Sequence, residues 1–195
     1  MSSPQRAKAL TNRQSDLLDR LEALFLRNGF LNFTLTDLAA ELSCSKSTLY
    51  AIARSKEQLA VQVVKHFFVK ATAEVERAHS PGRSATEHLR RYLAAVSVQL
   101  GKASPTFIAD MVSFEPTRSV YELNAASAAE RVHQFILAGV RSGEFRPVHV
   151  EVTAAMVGVL IENIQRGVIE ARTAVSHGES FAVLAEVLLG GLCAR

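Results

Sequence analysis

The sequence predicts an all-α protein, on three observations. Its composition, 48% hydrophobic and 21% charged, is that of a globular chain. Apolar residues recur at helical spacing in one segment after another along all 195 residues. Most segments open with a hydroxyl residue suited to an N-cap, while only five prolines interrupt the chain. The length allows one or two domains with a real core.

From about Asn12 to Asn28, Leu17, Leu18, Leu21, Leu24 and Phe25 fall on one helical face, and Gly29 can stop that helix. Thr34 opens a second helix, with Asp37 three residues on completing a capping box. Its Leu38, Ala39 and Leu42 face inward, and Ser43-Cys44 form a turn. Ser45 caps a third helix over roughly Lys46 to Ala53. Ser55 and Gln58 form another box, opening a fourth helix to about His79 with a stripe of Leu59, Val63, Val64 and Phe67. Ser80-Pro81-Gly82 breaks the chain.

A fifth helix is expected over about Ser84 to Lys102, carrying Leu89, Tyr92, Leu93, Val96 and Leu100. Ser104-Pro105 starts a sixth, which Pro116 ends. A seventh covers about Arg118 to Arg141, followed by a turn over Gly143–Pro147. An eighth spans about Val150 to Val175 and a ninth Glu179 to Leu192, giving about nine helices. The last two are apolar on more than one face, and a helix apolar all round is buried all round. Two terminal helices of that kind suit a four-helix interface with a second copy, so a homodimer is expected.

Residues 1–56 hold eight Lys/Arg against five Asp/Glu, whereas residues 57–195 hold fourteen of each. The formal excess of +3 therefore sits at the N-terminal end, which suits a polyanionic partner. Two cysteines, Cys44 and Cys193, are too few for a disulfide framework. The first residues, MSSPQRAKALTNRQ, lack the apolar core of a signal peptide, and no run reaches the eighteen or so apolar residues of a membrane span, so a cytoplasmic protein without a membrane partner is expected. No P-loop, GxSxG, HExxH or Cys-rich metal pattern occurs, and the six histidines are scattered. No enzyme activity, catalytic residue, metal or cofactor is expected.

The segment Gly29–Leu59, GFLNFTLTDLAAELSCSKSTLYAIARSKEQL, reads as two short helices joined by a tight turn and followed by a third, capped one. The second short helix begins with small, polar and basic side chains, the surface a helix-turn-helix offers to the DNA major groove. Through Gly29, Phe30, Thr34, Leu38-Ala39, Leu42, Ser45, Thr48-Leu49-Tyr50, Ser55-Lys56-Glu57 and Leu59, this segment resembles the TetR family of bacterial transcriptional regulators. Gly143-Glu144-Phe145-Arg146 looks like the turn that family often has before its eighth helix. The sequence departs from the family pattern at Ser43, where Gly is common, and at Ala51, Ile52 and Ala53, where an aromatic or His and then Phe are usual. A phosphate or packing contact near Ile52 is therefore expected to be missing.

The resemblance implies a helix-turn-helix DNA-binding domain over 1–57 and a helical ligand-binding and dimerisation domain over 58–195. It implies that the third helix enters the major groove of double-stranded DNA, with Lys46 and Ser47 at base edges, Ala51 at a thymine methyl and Thr36 within reach. Thr34, Ser45, Thr48, Tyr50 and Lys56 are the remaining expected DNA-binding positions, several of them toward phosphates. A dimer would read a palindromic operator, and a repressor would be released by a small apolar or aromatic effector. Phe107, Met111, Phe114, Phe135, Met156 and Leu160 are the expected pocket, with polar members among Gln99, Glu115, Tyr121, Glu162, Asn163 and Gln165. The expected dimer interface is Met156, Leu160, Ile164, Phe181, Leu184 and Leu188. Two alternatives stand beside this reading. One is a thiol-sensing regulator, because Cys44 precedes the third helix and adjoins Lys46. The other is a helical interaction protein whose helix-turn-helix has lost specific DNA reading.

Overall fold

The computed structural model describes residues 11–77 and 84–193. These form ten helices and no strand: α1 Asn12–Asn28, α2 Leu35–Glu41, α3 Lys46–Tyr50, α4 Lys56–Arg77, α5 Ala85–Leu100, α6 Pro105–Ser113, α7 Glu115–Ser142, α8 Val150–Gln165, α9 Val168–Thr173 and α10 His177–Leu192. The expected end of α4 near His79 and the Ser80-Pro81-Gly82 break lie outside the described residues.

Local signals set most of the boundaries. The Thr34 hydroxyl accepts the Asp37 amide while the Asp37 carboxylate accepts the Thr34 amide, as a capping box requires. Ser45, Ser84, Ser104 and Ser176 each accept an amide three residues on. Ser55 does the same for Gln58, but the Gln58 side chain reaches back to the Arg54 amide rather than to Ser55. Gly29 ends α1 at φ 72°, and a Cβ there would lie 2.5 Å from Asp110 Oδ2. Glycine is needed at this position for conformation and for clearance alike.

Three boundaries differ from those expected. α3 stops at Tyr50, not Ala53: the amides of Ile52 and Ala53 both turn back to the Leu49 carbonyl, folding the chain into α4. Pro116 does not end α6 but sits in the first turn of α7, where its missing N–H breaks no ladder bond. The expected eighth helix divides at Arg166-Gly167, because Gly167 takes the left-handed conformation at φ 71°, and this yields α8 and α9.

An N-terminal head of α1–α3 packs Leu21, Phe25, Leu38, Leu42 and Leu49 against Leu59 at the start of α4. The body places α4, α5 and α7 side by side, with α8 on α7 and α10 on α5 and α8. Aromatic rings carry the core from one part to the other. Phe30 stacks on Phe25 at 5.4 Å and meets Phe107 and Phe114 edge-on at 6.1 and 5.9 Å, and Phe107 meets Phe67 at 5.7 Å.

Candidate nucleic-acid interface and the cavity behind it

α2, a turn and α3 form the exposed end of the head. The turn is made at Ser43, which holds φ 47°, a left-handed conformation that disfavours a side chain. Thr36, Lys46, Ser47, Tyr50 and Ala51 are exposed, Tyr50 by about half. Leu38, Ala39, Leu42 and Leu49 are buried beneath them and fix the angle between the two helices.

The hydroxyls are partly spoken for. Thr34 donates to Asp37 at 2.7 Å, and Ser45 shares bonds with Ser47 at 2.7 Å and Thr48 at 2.8 Å. Thr48 is half-buried. Lys56 donates to the Leu31 carbonyl at 2.6 Å, which leaves two of its three N–H donors. Cys44 is half-buried against the core, as is Ile52.

Side chains that sequence reasoning passed over brace this end. Gln14 donates to the Ala51 carbonyl at 2.9 Å, tying α1 to the end of α3. Arg20 donates to the Leu42 carbonyl at the end of α2. From the body, the Asp110 carboxylate on α6 accepts the amides of Phe30 at 2.6 Å and Leu31 at 2.9 Å. These partners lie 79 and 80 residues apart in sequence, beyond the reach of any local pattern.

A charged cluster joins α1 to α4. Lys70 donates to Asp19 at 2.8 Å and Glu22 at 2.9 Å, and His66 Nε2 lies 2.8 Å from Asp19. The Lys70 and His66 hydrogen bonds hold the Asp19 carboxyl below its usual range, against the opposing effect of burial. Asp19, Glu22 and His66 bring their donor atoms within 4.8 Å of one another, a spacing suited to a metal ion. The Lys70 ammonium already bridges the two carboxylates and balances one of their charges.

Behind the head, α4, α5, α7 and the end of α8 line a partly open cavity of about 170 Å³. Phe68, Val75, Tyr92, Val96, Leu100 and Ala125 supply apolar wall, and Thr72, Gln99, Asn124 and Gln165 supply polar atoms. Tyr121 donates to Gln165 Oε1 at 2.9 Å in a buried bond. Burial pushes the phenols of Tyr92 and Tyr121 up to about 12, so both stay protonated donors.

None of the six side chains expected to form the pocket lines this cavity. Phe107 and Phe114 are drawn onto Phe30, and Met111 is wholly buried in the core. Phe135 packs between His88 and Tyr92. Met156 and Leu160 are 64% and 44% exposed on the far side of α8. Of the polar candidates, Gln99, Tyr121 and Gln165 do line it; Glu115, Glu162 and Asn163 do not. Which face of each helix meets the empty space depends on the packing of four helices together, and single-helix periodicity holds no such information.

The expected interface residues also divide. Ile164, Phe181, Leu184 and Leu188 are buried within the chain, filling the contacts of α10 with α5 and α8. Met156 and Leu160 remain outside, beside exposed Val152, Val159, Val183 and Val187. Each of the two helices therefore keeps an apolar outer face after its inner face is covered.

A helix-turn-helix head is thus braced by α4 and α6 onto a helical body that carries a cavity. Residues 17–63, which span the head and the start of α4, match the family described as bacterial regulatory proteins, tetR family. The whole fold is that of TetR-family transcriptional regulators. One such structure, PfmR from Thermus thermophilus, is 23% identical, with 92% of this chain and 99% of that one covered at a TM-score of 0.68. A transcriptional regulator from Cytophaga hutchinsonii is 17% identical, with 94% and 100% covered at 0.74. A complex of SmeT with triclosan is 13% identical, with 95% and 93% covered at 0.72. No curated protein matches the chain in sequence. Among the described residues, no helix is long and apolar enough to cross a membrane.

Proposed function

We propose that this chain is a cytoplasmic, dimeric repressor that reads a palindromic operator and is released by a small apolar or aromatic effector. The observation that carries the reading is the course of α4. Its first turns pack beneath the head through Leu59 and Val63, and its later turns form the cavity wall through Phe68, Thr72 and Val75. A ligand that favours one position of α4 therefore biases the head, and an equilibrium shifts only by such a difference in affinity.

In this reading residues 1–57 bind DNA and residues 58–195 bind effector and partner subunit. Lys46 and Ser47, exposed at the start of α3, meet base edges, and Ala51 meets a thymine methyl. Thr36 and Tyr50 reach toward bases and backbone, and Lys56 gives its spare donors to a phosphate. Thr34 and Ser45 first serve as caps, Thr48 bonds to Ser45, and all three add phosphate contacts through remaining donor or acceptor capacity. The second subunit covers Met156, Leu160 and Val187, while Ile164, Phe181, Leu184 and Leu188 support that face from within. That a regulator of the same fold has been captured with triclosan supports an aromatic effector.

The test is selection of genomic fragments by the purified protein at rising salt. Enrichment of a palindrome, with binding lost in Lys46→Ala and falling steeply with salt, is the expected result. Weak, salt-sensitive binding with no enriched site would refute specific reading and favour an interaction protein.

A further inference from the structure

One side chain in the cavity wall is unlike the rest. Arg131 on α7 is the cation among the lining residues, and its guanidinium is only partly engaged. Nη2 meets the half-exposed Glu76 at 2.9 Å, but Nε is buried and has no hydrogen-bond partner. The guanidinium carbon lies 5.4 Å from the centre of the Phe135 ring, which helps to hold its plane. A fixed fork with unused donors is the geometry that takes a carboxylate in two parallel bonds.

The other end of the cavity is different. The neutral Tyr121–Gln165 pair stands there, about 15 Å of helical rise away along α7. It can give or accept hydrogen bonds but carries no charge. The walls between are mostly aromatic and aliphatic, through Phe68, Val96, Ala125 and Ala128, with Thr72, Gln99 and Asn124 among them. An apolar cavity of about 150 Å³ holds benzene. At about 170 Å³, this one takes a single ring with a small substituent, the acid group extending toward Arg131.

On the reading that this cavity is the effector site, we propose that the effector is a single-ring carboxylic acid. Its carboxylate engages Arg131 in place of Glu76, and its ring lies on the apolar wall of Phe68, Val96 and Ala128. Glu76 is free to make way, since half of its side chain already lies in solvent.

The test is calorimetric titration of the full chain with benzoate, 4-hydroxybenzoate and the uncharged benzyl alcohol. Benzoate is expected to bind at least about tenfold more tightly than benzyl alcohol, the worth of one hydrogen bond to a charged group. Arg131→Gln should abolish that advantage and leave benzyl alcohol binding unchanged, and Arg131→Lys should retain part of it. Glu76→Gln should strengthen benzoate binding, because it removes the competing carboxylate; this variant keeps the test decisive if Arg131→Gln does not fold. Benzyl alcohol binding as tightly as benzoate, or benzoate binding unmoved by Arg131→Gln and Glu76→Gln, would overturn the acid and leave the cavity as a neutral-ligand site. Binding of neither compound would overturn the acid and the effector cavity together. DNA selection tests the head separately from all of these results.

Discussion

Replacing Asp110 should loosen the turn that joins α1 to α2 while leaving the rest of the body intact. Its carboxylate accepts two backbone amides, from Phe30 at 2.6 Å and Leu31 at 2.9 Å. A hydrogen bond to a charged group contributes about 1.5–3 kcal/mol, and an unpaired buried amide forfeits all of it. Phe30 is buried, whereas Leu31 is 38% exposed and can turn to water, so the pair together is worth about 2–3 kcal/mol. At about 1.4 kcal/mol per factor of ten, amide exchange at these two residues should accelerate by about 30- to 150-fold in Asp110→Ala. Asp110→Asn keeps an acceptor oxygen without the charge and should fall between. Hydrogen exchange read by mass spectrometry over residues 29–33 is the assay, with a peptide from α8 as the internal reference. Unchanged protection at 29–33 would refute the reasoning. So would an equal loss in α8, which would mean that the variant destabilises the whole chain and not this junction.

Three further outcomes follow from the same geometry. A Cβ at Gly139 would lie 2.2 Å from the buried Phe145 ring, so Gly139→Ala should cost about 1–3 kcal/mol, seen as a lower urea midpoint; an unchanged midpoint would contradict the packing. Met156→Asp and Val187→Asp place charge on the exposed outer face of α8 and α10 and should give monomers by light scattering, with the helical circular dichroism retained. Glu144 accepts the amides of Thr86 and Ala85, which hold its carboxyl below the ordinary 4.5. A depressed folded pKa contributes stability that is fully present above the unfolded value and is lost as pH falls through the folded one. Glu144→Gln should therefore flatten the stability profile below about pH 4.5, and an acid limb identical to the wild type's would show that Glu144 does not contribute to it.

What was legible in the sequence is what depends on neighbours a few residues away. Thr34 with Asp37, Ser45 before Lys46, and Ser104 before Pro105 mark helix starts because a cap acts over three residues. The inward faces of α1 and α4 were legible for the same reason. Pro116 was misplaced because proline disrupts a helix interior but fits its first turn, and only the position of Phe114 decides between the two. The division at Gly167 was hidden because apolar residues continue on both sides of it. At the site, the exposure of Lys46, Ser47 and Tyr50 followed from the local pattern. The cavity wall did not, because Phe107 and Phe114 were claimed by Phe30 across the head–body junction.

The stop at Gln165 has a consequence for how such a protein can change over generations. Gln165 closes the cavity from the last turn of α8, just ahead of the left-handed Gly167, while Met156 and Leu160 occupy the outer face one to three turns earlier. On the proposed reading, substitution of Gln165 alters what the chamber accepts and leaves Met156 and Leu160 of the subunit-facing surface in place. Mutations on the outer face can alter subunit pairing without altering the chamber. On that reading one helix carries two separately tunable traits, and a lineage that acquires a new chemical signal keeps its subunit pairing.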